Sequence, residues 1–235
     1  LLVLLAACAG AWGQLRVVTW NITNYNGGSL AEIRTAVYST FEGRRLAPDI
    51  FLCQEFLSAT ALSDFVTALN TAPGSPGDWA AAPFIDGESD DGVLVYRTSK
   101  VQYLGTTIVA VGSTAQNNQP RNTYRYDIRP VGYTGSKATL ALYNSHMKAG
   151  GTQTDRDRRL VEAVRIRDNA ETLPSGWSFL FGADTNIPTS TEAAYVELVG
   201  SQANNAGRFT DPINTPGTWN NDASFRFVHS QDPAT

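Results

Sequence analysis

Five side chains at the ends of apolar runs are of types that handle phosphate and metal. Glu55 closes Asp49-Ile-Phe-Leu-Cys-Gln-Glu55, and a carboxylate projected from a rigid, mostly buried strand suits a hard divalent cation. Mg²⁺ is held by one or two carboxylates plus waters and phosphate oxygens, and Mn²⁺ or Ca²⁺ are the substitutes. Capping of the next helix, or an arginine partner, is the competing role for Glu55. Asn21 closes Arg16-Val-Val-Thr-Trp-Asn21 and is placed either to orient Glu55 or a ligated water, or merely to form a turn. In Gly182-Ala-Asp-Thr-Asn-Ile-Pro188, Asp184 and Asn186 straddle Thr185, so along a continuing strand both side chains point the same way. Together they would polarise a water while the amide donates to a phosphoryl oxygen, as in-line displacement at phosphorus requires; an Asx turn is the alternative. His146, one of two histidines, closes Leu140-Ala-Leu-Tyr-Asn-Ser-His146 and reads as an acid or hydrogen-bond donor to phosphate, or as a structural histidine. Arg121, in Gln119-Pro-Arg-Asn122, is either a phosphate clamp or a plain surface arginine.

The elements that must position these groups follow a repeated order of strand, helix, strand. One half ends its strands on Asn21 and Glu55, the other on His146 and Asp184, which makes His146 the counterpart of Asn21. Ser29 with Glu32 predicts a capping box, and Leu30, Ile33, Val37 and Phe41 then recur at helical spacing as far as Gly43. Leu62, Phe65, Val66 and Leu69 predict a second helix, closed by Pro73-Gly74. Thr154-Asp155 opens a third, with Leu160, Ala163, Val164 and Ala170 on one face and Arg158, Arg159, Arg165 and Arg167 read as a solvated face. Thr189 with Glu192 predicts another capping box, before a helix running to Gly200. Between the halves, segments 92–97, 101–104, 107–111 and 125–128 read as a meander of short strands. Crossover helices in each half and hairpins between them require mixed sheets. The expected fold class is α/β, a four-layer α/β/β/α sandwich of two mixed β-sheets with helices outside and the site beyond the strand ends.

At 235 residues and 42% hydrophobic content, the chain supports one sizeable core, and no linker-like stretch divides it. A formal charge of -4 argues against a broadly basic nucleic-acid binder, though not against an enzyme that meets phosphate through a metal ion. Two cysteines make no disulfide framework, and Cys53 reads as a buried free thiol. Residues 1–13 are apolar and pass into small residues, as in a signal peptide remnant too short to span a bilayer. Cleavage after Gly13 leaves a domain over 14–235 that is secreted or periplasmic; Leu5-Ala6-Ala7-Cys8 alternatively resembles a lipoprotein site anchored at Cys8.

With these motifs in order, the chain resembles the endonuclease/exonuclease/phosphatase family, with its deoxyribonuclease-I-like fold. Trp20-Asn21 is similar to its W-N motif, Pro48-Asp-Ile-Phe-Leu-Cys-Gln-Glu55 to P-D-x-x-x-x-Q-E, Asn144-Ser-His146 to N-x-H, and Gly182-Ala-Asp-Thr-Asn186 to G-D-x-N stretched by one residue. The resemblance covers residues 15 to about 190. It implies Glu55 as a Mg²⁺ ligand, Asn21 and Asn186 as active-site amides, His146 as a phosphate-side acid or donor, Asp184 as a nucleophile-orienting carboxylate and Arg121 as a phosphate contact. The family's late aspartate motif and terminal Asp-His pair do not appear; His229 lacks a preceding Asp, and a strand over 225–229 is the expectation there. With no initiator Met either, the chain reads as a piece of a bacterial exported member, cut at both ends.

The expected activity is hydrolysis of phosphodiester bonds by activated water in a monomer, with extracellular DNA or RNA as the first substrate class. Lipid and inositol phosphoesters fit the same core. A secreted binding module with a decayed site is the reading from another class, while the absence of a G-x-S-x-G elbow disfavours a serine hydrolase.

Overall fold

The strand that carries Glu55 shows how the layers are built. It is Ile50–Phe56, and nearly every residue in it is buried, because one face looks at helices and the other at a second sheet. Phe51, Cys53 and Phe56 join the helix-side core, while Ile50 and Leu52 join the core between the sheets. In chain order the elements are β1 (Val17–Tyr25), α1 (Leu30–Tyr38), β2 (Thr40–Phe41), β3 (Arg44–Arg45), β4 (Ile50–Phe56), α2 (Ala59–Thr71), β5 (Trp79–Ala81), β6 (Asp91–Arg97), β7 (Val101–Ala110), β8 (Thr123–Pro130), β9 (Leu140–His146), α3 (Gln153–Glu171), β10 (Ser178–Asp184) and α4 (Ala193–Val199). This computed structural model describes residues 14–226 and 228. The apolar run 1–13 with Cys8, and His229, lie outside the described residues.

One sheet has the order β1-β4-β6-β5, with β1 and β4 parallel and the other pairs antiparallel. The other has the order β10-β9-β8-β7, with β10 and β9 parallel and the rest antiparallel. Three apolar clusters separate four layers. The first sheet packs on α1 and α2 through Phe51, Phe65 and Val37, and the two sheets meet over Leu52, Leu94, Tyr126 and Leu142. The second sheet packs on α3 and α4 through Tyr143, Ile166 and Leu198. This is the expected α/β/β/α sandwich. Gly182 serves the sheet contact directly, since a Cβ there would lie 2.7 Å from Leu52 Cδ1.

Local signals misplaced several details. Ser29 makes no side-chain cap and sits at φ 48, and Phe41 leaves the helix for the β2-β3 hairpin, where it is 77% exposed. The β7 strand runs unbroken through both segments expected there, with irregular register around Gly105. Glu192 caps α4 without a side-chain hydrogen bond, its carboxylate being taken by Arg159. Residues 223–225 form a 3₁₀ turn instead of a strand.

The largest correction concerns α3. Arg158, Arg159 and Arg167 are buried and not solvated. Their guanidinium groups supply hydrogen bonds to backbone carbonyls: Arg158 to Ser113 and Asn118, Arg159 to Lys148 and Gly150, and Arg167 to Glu197, Gly200 and Asn204. Loops packed against a helix carry carbonyls that no sheet satisfies, and a five-donor side chain meets that need.

Candidate active site

Side-chain alternation brings the site to one rim. Val17, Leu140, Leu142 and Leu180 face the core between the sheets, so Asn21, Asn144, His146 and Asp184 share that inner face with Gln54 by the period of two. Gln54 and Asn144 form the floor: Gln54 Nε2 donates to Asn144 Oδ1 at 2.8 Å, and Asn144 Nδ2 donates to the carbonyls of Cys53 and Val93. These buried amides tie the sheets together directly below the rim. Gly92 makes room for them, because a Cβ there would come within 2.9 Å of Asn144 Nδ2.

Glu55 breaks the alternation, since its odd position would aim it at the helices with Phe51 and Cys53. Its backbone lies in the left-handed region at φ 66, and the registers of β4 with both β1 and β6 shift at this point. A bulge therefore returns the carboxylate to the rim, at a backbone cost of about 1–3 kcal/mol.

At the rim Asn21 Nδ2 donates to Glu55 Oε1 at 2.7 Å and to Asp184 Oδ2 at 2.8 Å. Glu55 Oε2 accepts from Asn24 N at 2.7 Å. One amide thus holds two carboxylates from different sheets. His146 Nδ1 lies 3.8 Å from Glu55 Oε1, and Nε2 lies 3.6 Å from Asp184 Oδ2. Among the described residues no Lys or Arg pairs with Glu55 or Asp184. Glu55, His146 and Asp184 each offer a ligand atom within 4.8 Å of one another. Two converging carboxylates with an imidazole beside them and no Lys or Arg partner among the described residues are a donor set that fits a hard divalent cation.

Asp90, which is not among the expected site residues, joins His146 to Arg121. It is buried and lies 2.9 Å from His146 Nδ1, and it also accepts from Arg121 Nε. Burial works to raise its pKa, but the His146 hydrogen bond and the charge of Arg121 outweigh it and hold the carboxyl below the ordinary range. An ionised Asp90 only accepts, so His146 carries a proton on Nδ1 and turns Nε2 toward Asp184. The neighbouring Asp91 shifts the other way. Burial pushes its carboxyl up despite hydrogen bonds from Tyr124 and Gly87. The only sequence signal for Asp90 was its place in Ser89-Asp-Asp-Gly92 immediately before a strand.

Arg121 therefore reaches the site through Asp90, its Nη nitrogens free of protein partners among the described residues. Asn186 is placed differently from the alternation argument, because β10 ends at Asp184 and Asn186 takes φ 50. Its N–H donates to Asp184 Oδ1 at 3.2 Å, and its Nδ2 donates to the Met147 carbonyl at 3.2 Å. Cys53 is a buried free thiol whose pKa burial raises strongly.

No protein-family model matches the chain, and no curated protein matches its sequence. Solved structures do. D. rerio TDP2 complexed with a single-stranded DNA product is similar at 19% identity and a TM-score of 0.51, over 75% of this chain and 62% of that one. An endonuclease/exonuclease/phosphatase family protein from Bacteroides thetaiotaomicron is similar at 17% identity and 0.56, over 78% and 67%. ANGEL2, a 2',3'-cyclic phosphatase in complex with adenosine-2',3'-vanadate, is similar at 12% identity and 0.53, over 77% and 56%. The chain thus spans somewhat under two thirds of the TDP2 chain. At these identities the likeness speaks for architecture, and the chain has the fold of the endonuclease/exonuclease/phosphatase proteins.

Proposed function

We propose that this chain is the core of a divalent-metal-dependent phosphoesterase that hydrolyses phosphodiester bonds with an activated water. The observation that carries the reading is the convergence of Glu55 and Asp184, from different sheets, on the single amide of Asn21 with the Asp90-bound His146 beside them. Glu55, with Asp184 next to it, would hold the ion, which when bound would supply charge neutralisation at a phosphoryl oxygen. Asp184 has its carboxylate aimed by Asn21 and the Asn186 N–H, which suits it to orient the attacking water. His146, whose Nδ1 is engaged by Asp90, presents Nε2 to the same space and would donate to phosphate from its doubly protonated form. Arg121, anchored by Nε, offers its Nη groups to phosphate oxygens as a charged donor pair.

Nucleic acid is the first substrate class, supported by the nucleic-acid and nucleotide ligands of the TDP2 and ANGEL2 structures. Export is part of the proposal and rests on the apolar run 1–13. The test is cleavage of plasmid DNA and of a generic aryl phosphodiester by the complete protein with Mg²⁺, Mn²⁺ or Ca²⁺. Turnover that chelation abolishes and metal restores is expected; none on any phosphodiester with any of the three ions refutes the reading.

A further inference from the structure

The backbone groups that follow β9 are held mostly by side chains, and two of the holders, Glu162 and Arg159 of α3, are charged and buried. Met147 N donates to the Asp184 carbonyl, and the Met147 carbonyl accepts from Asn186 Nδ2. Lys148 N donates to Glu162 Oε2 at 3.1 Å. Arg159 Nη1 donates to the carbonyls of Lys148 and Gly150, while its Nε and Nη2 are fixed on Glu192. Arg159 and Glu162 have no solvent exposure at all. A strand end that passes into a loop leaves orphan N–H and C=O groups, and here α3 supplies the partners of Lys148 N and of the Lys148 and Gly150 carbonyls, with Asn186 on the Met147 carbonyl.

We propose that Glu162 and Arg159 are positioning residues, which fix the Met147–Lys148 peptides and thereby the aim of His146 and Asn186 toward the rim. The inference rests on the phosphoesterase reading for its catalytic consequence only; the positioning itself is a property of the folded chain. Glu162 does this as a neutral acid. Its Oε1 is buried without a partner, which an ionised carboxylate tolerates poorly. Burial lifts its pKa to about 8 against the Lys148 N–H and the charges of Arg121, Arg158 and Arg159. The groups that face it come from three elements: Arg158 and Arg159 on its own helix, Lys148 after β9, and Arg121 in the loop before β8. Glutamine therefore reproduces the acceptor and the charge state at neutral pH, whereas leucine removes the acceptor and leaves the Lys148 N–H unpaired.

Two variants, Glu162→Gln and Glu162→Leu, separate the possibilities, read by kcat and KM and by the imidazole ¹⁵N spectrum. The chain has only two histidines, so a His229→Gln background leaves His146 as the sole signal. Glu162→Gln is expected to keep the wild-type kcat and a single Nδ1-protonated tautomer. Glu162→Leu is expected to lose roughly 10–100-fold in kcat, as loss of a supporting shell commonly does, with KM unchanged and the tautomer signals averaged. A folded Glu162→Leu protein with wild-type kcat and an unchanged imidazole spectrum overturns the proposal. If the wild type turns over no phosphodiester, the phosphoesterase reading fails while the spectrum still decides the positioning. Should the leucine variant not fold, Glu162→Ala, which leaves space for a water on the Lys148 N–H, carries the same comparison.

Discussion

Asp90→Asn is the most informative single change, because one oxygen is exchanged for an NH₂ at a point where two donors converge. Asp90 accepts from His146 Nδ1 at 2.9 Å and from Arg121 Nε with both oxygens. An asparagine has one acceptor, so either the imidazole or the guanidinium is left facing another donor. Each lost charge-assisted hydrogen bond is worth about 1.5–3 kcal/mol. Asp90 is 8% exposed and Arg121 21%, so solvent screens the loss only partly, and a destabilisation of about 2–4 kcal/mol at pH 7 is expected. The sign with pH is fixed. A carboxyl held below its ordinary value of 3.8 stabilises the fold above that value and loses its contribution as pH falls through its native one. Wild type and variant should therefore differ fully above about pH 5 and converge in urea melts as pH falls through the lowered native value. In turnover assays the freed ring no longer holds one tautomer, and kcat should fall by roughly 10²–10⁴-fold. A variant equally stable at all pH values, with kcat retained, would refute the account of Asp90 as the group that orients His146.

Glu162→Gln should stabilise the protein in the opposite window. With a folded value of about 8 against an ordinary value of 4.5, the native state keeps a proton that the unfolded chain has lost, so the wild type weakens relative to the variant as pH rises between those values. The gap is at most about 3 kcal/mol at pH 7 and vanishes near pH 4; melts that show no pH-dependent gap would contradict it. Glu55→Ala and Asp184→Ala should each abolish metal-dependent turnover while far-UV circular dichroism stays native, and full activity in either would remove that residue from the site. Asn144→Leu should cost about 2–5 kcal/mol in denaturant melts, because it removes the shortest hydrogen bond of Gln54 Nε2 and the side-chain donor to the carbonyls of Cys53 and Val93 in the core. A loss under 1 kcal/mol would mean the two sheets do not depend on that bridge.

The layers, and the four residues Asn21, Glu55, His146 and Asp184 that the fold gathers at one rim, were legible because their signals are periodic and local: apolar runs of strand length, each closed by a group that an apolar strand has no packing reason to carry. The misses have physical causes. Glu55 is aimed by a bulge at φ 66, and no sequence period reports a single left-handed residue. Asn186 is turned away from the alternation because β10 stops at Asp184. On α3 the expected Ala163 and Ala170 are buried, but Arg158, Arg159 and Arg167 were misplaced because charged side chains are normally exposed. Here Arg159, Glu162, Ala163, Ile166, Arg167 and Ala170 keep a helical period on the buried side, with loop carbonyls as the reason. Asp90 was invisible because its importance lies entirely in partners 31 and 56 residues away.

The repeated strand, helix, strand order also means something different in space. In the first half the chain goes from the edge strand β1 to the inner strand β4; in the second it goes from the inner strand β9 to the edge strand β10. The counterpart of Asn21 is therefore Asp184, edge to edge, and the counterpart of Glu55 is His146, inner to inner. This reversal explains the division of labour at the rim. The inner pair stands over the Gln54–Asn144 bridge, where packing from both sheets holds His146 at 7% exposure. The edge pair meets at the open side, and Asp184 keeps 29% of its side chain accessible. A rigid inner pair and an accessible edge pair suit a reaction in which one group must keep a fixed proton while another must admit water. The same logic locates the fragile point. Among the described residues Asn21 is the side chain that hydrogen-bonds to both carboxylates, one from each sheet, so the geometry of the rim depends on one amide that has no covalent neighbour in either carboxylate strand.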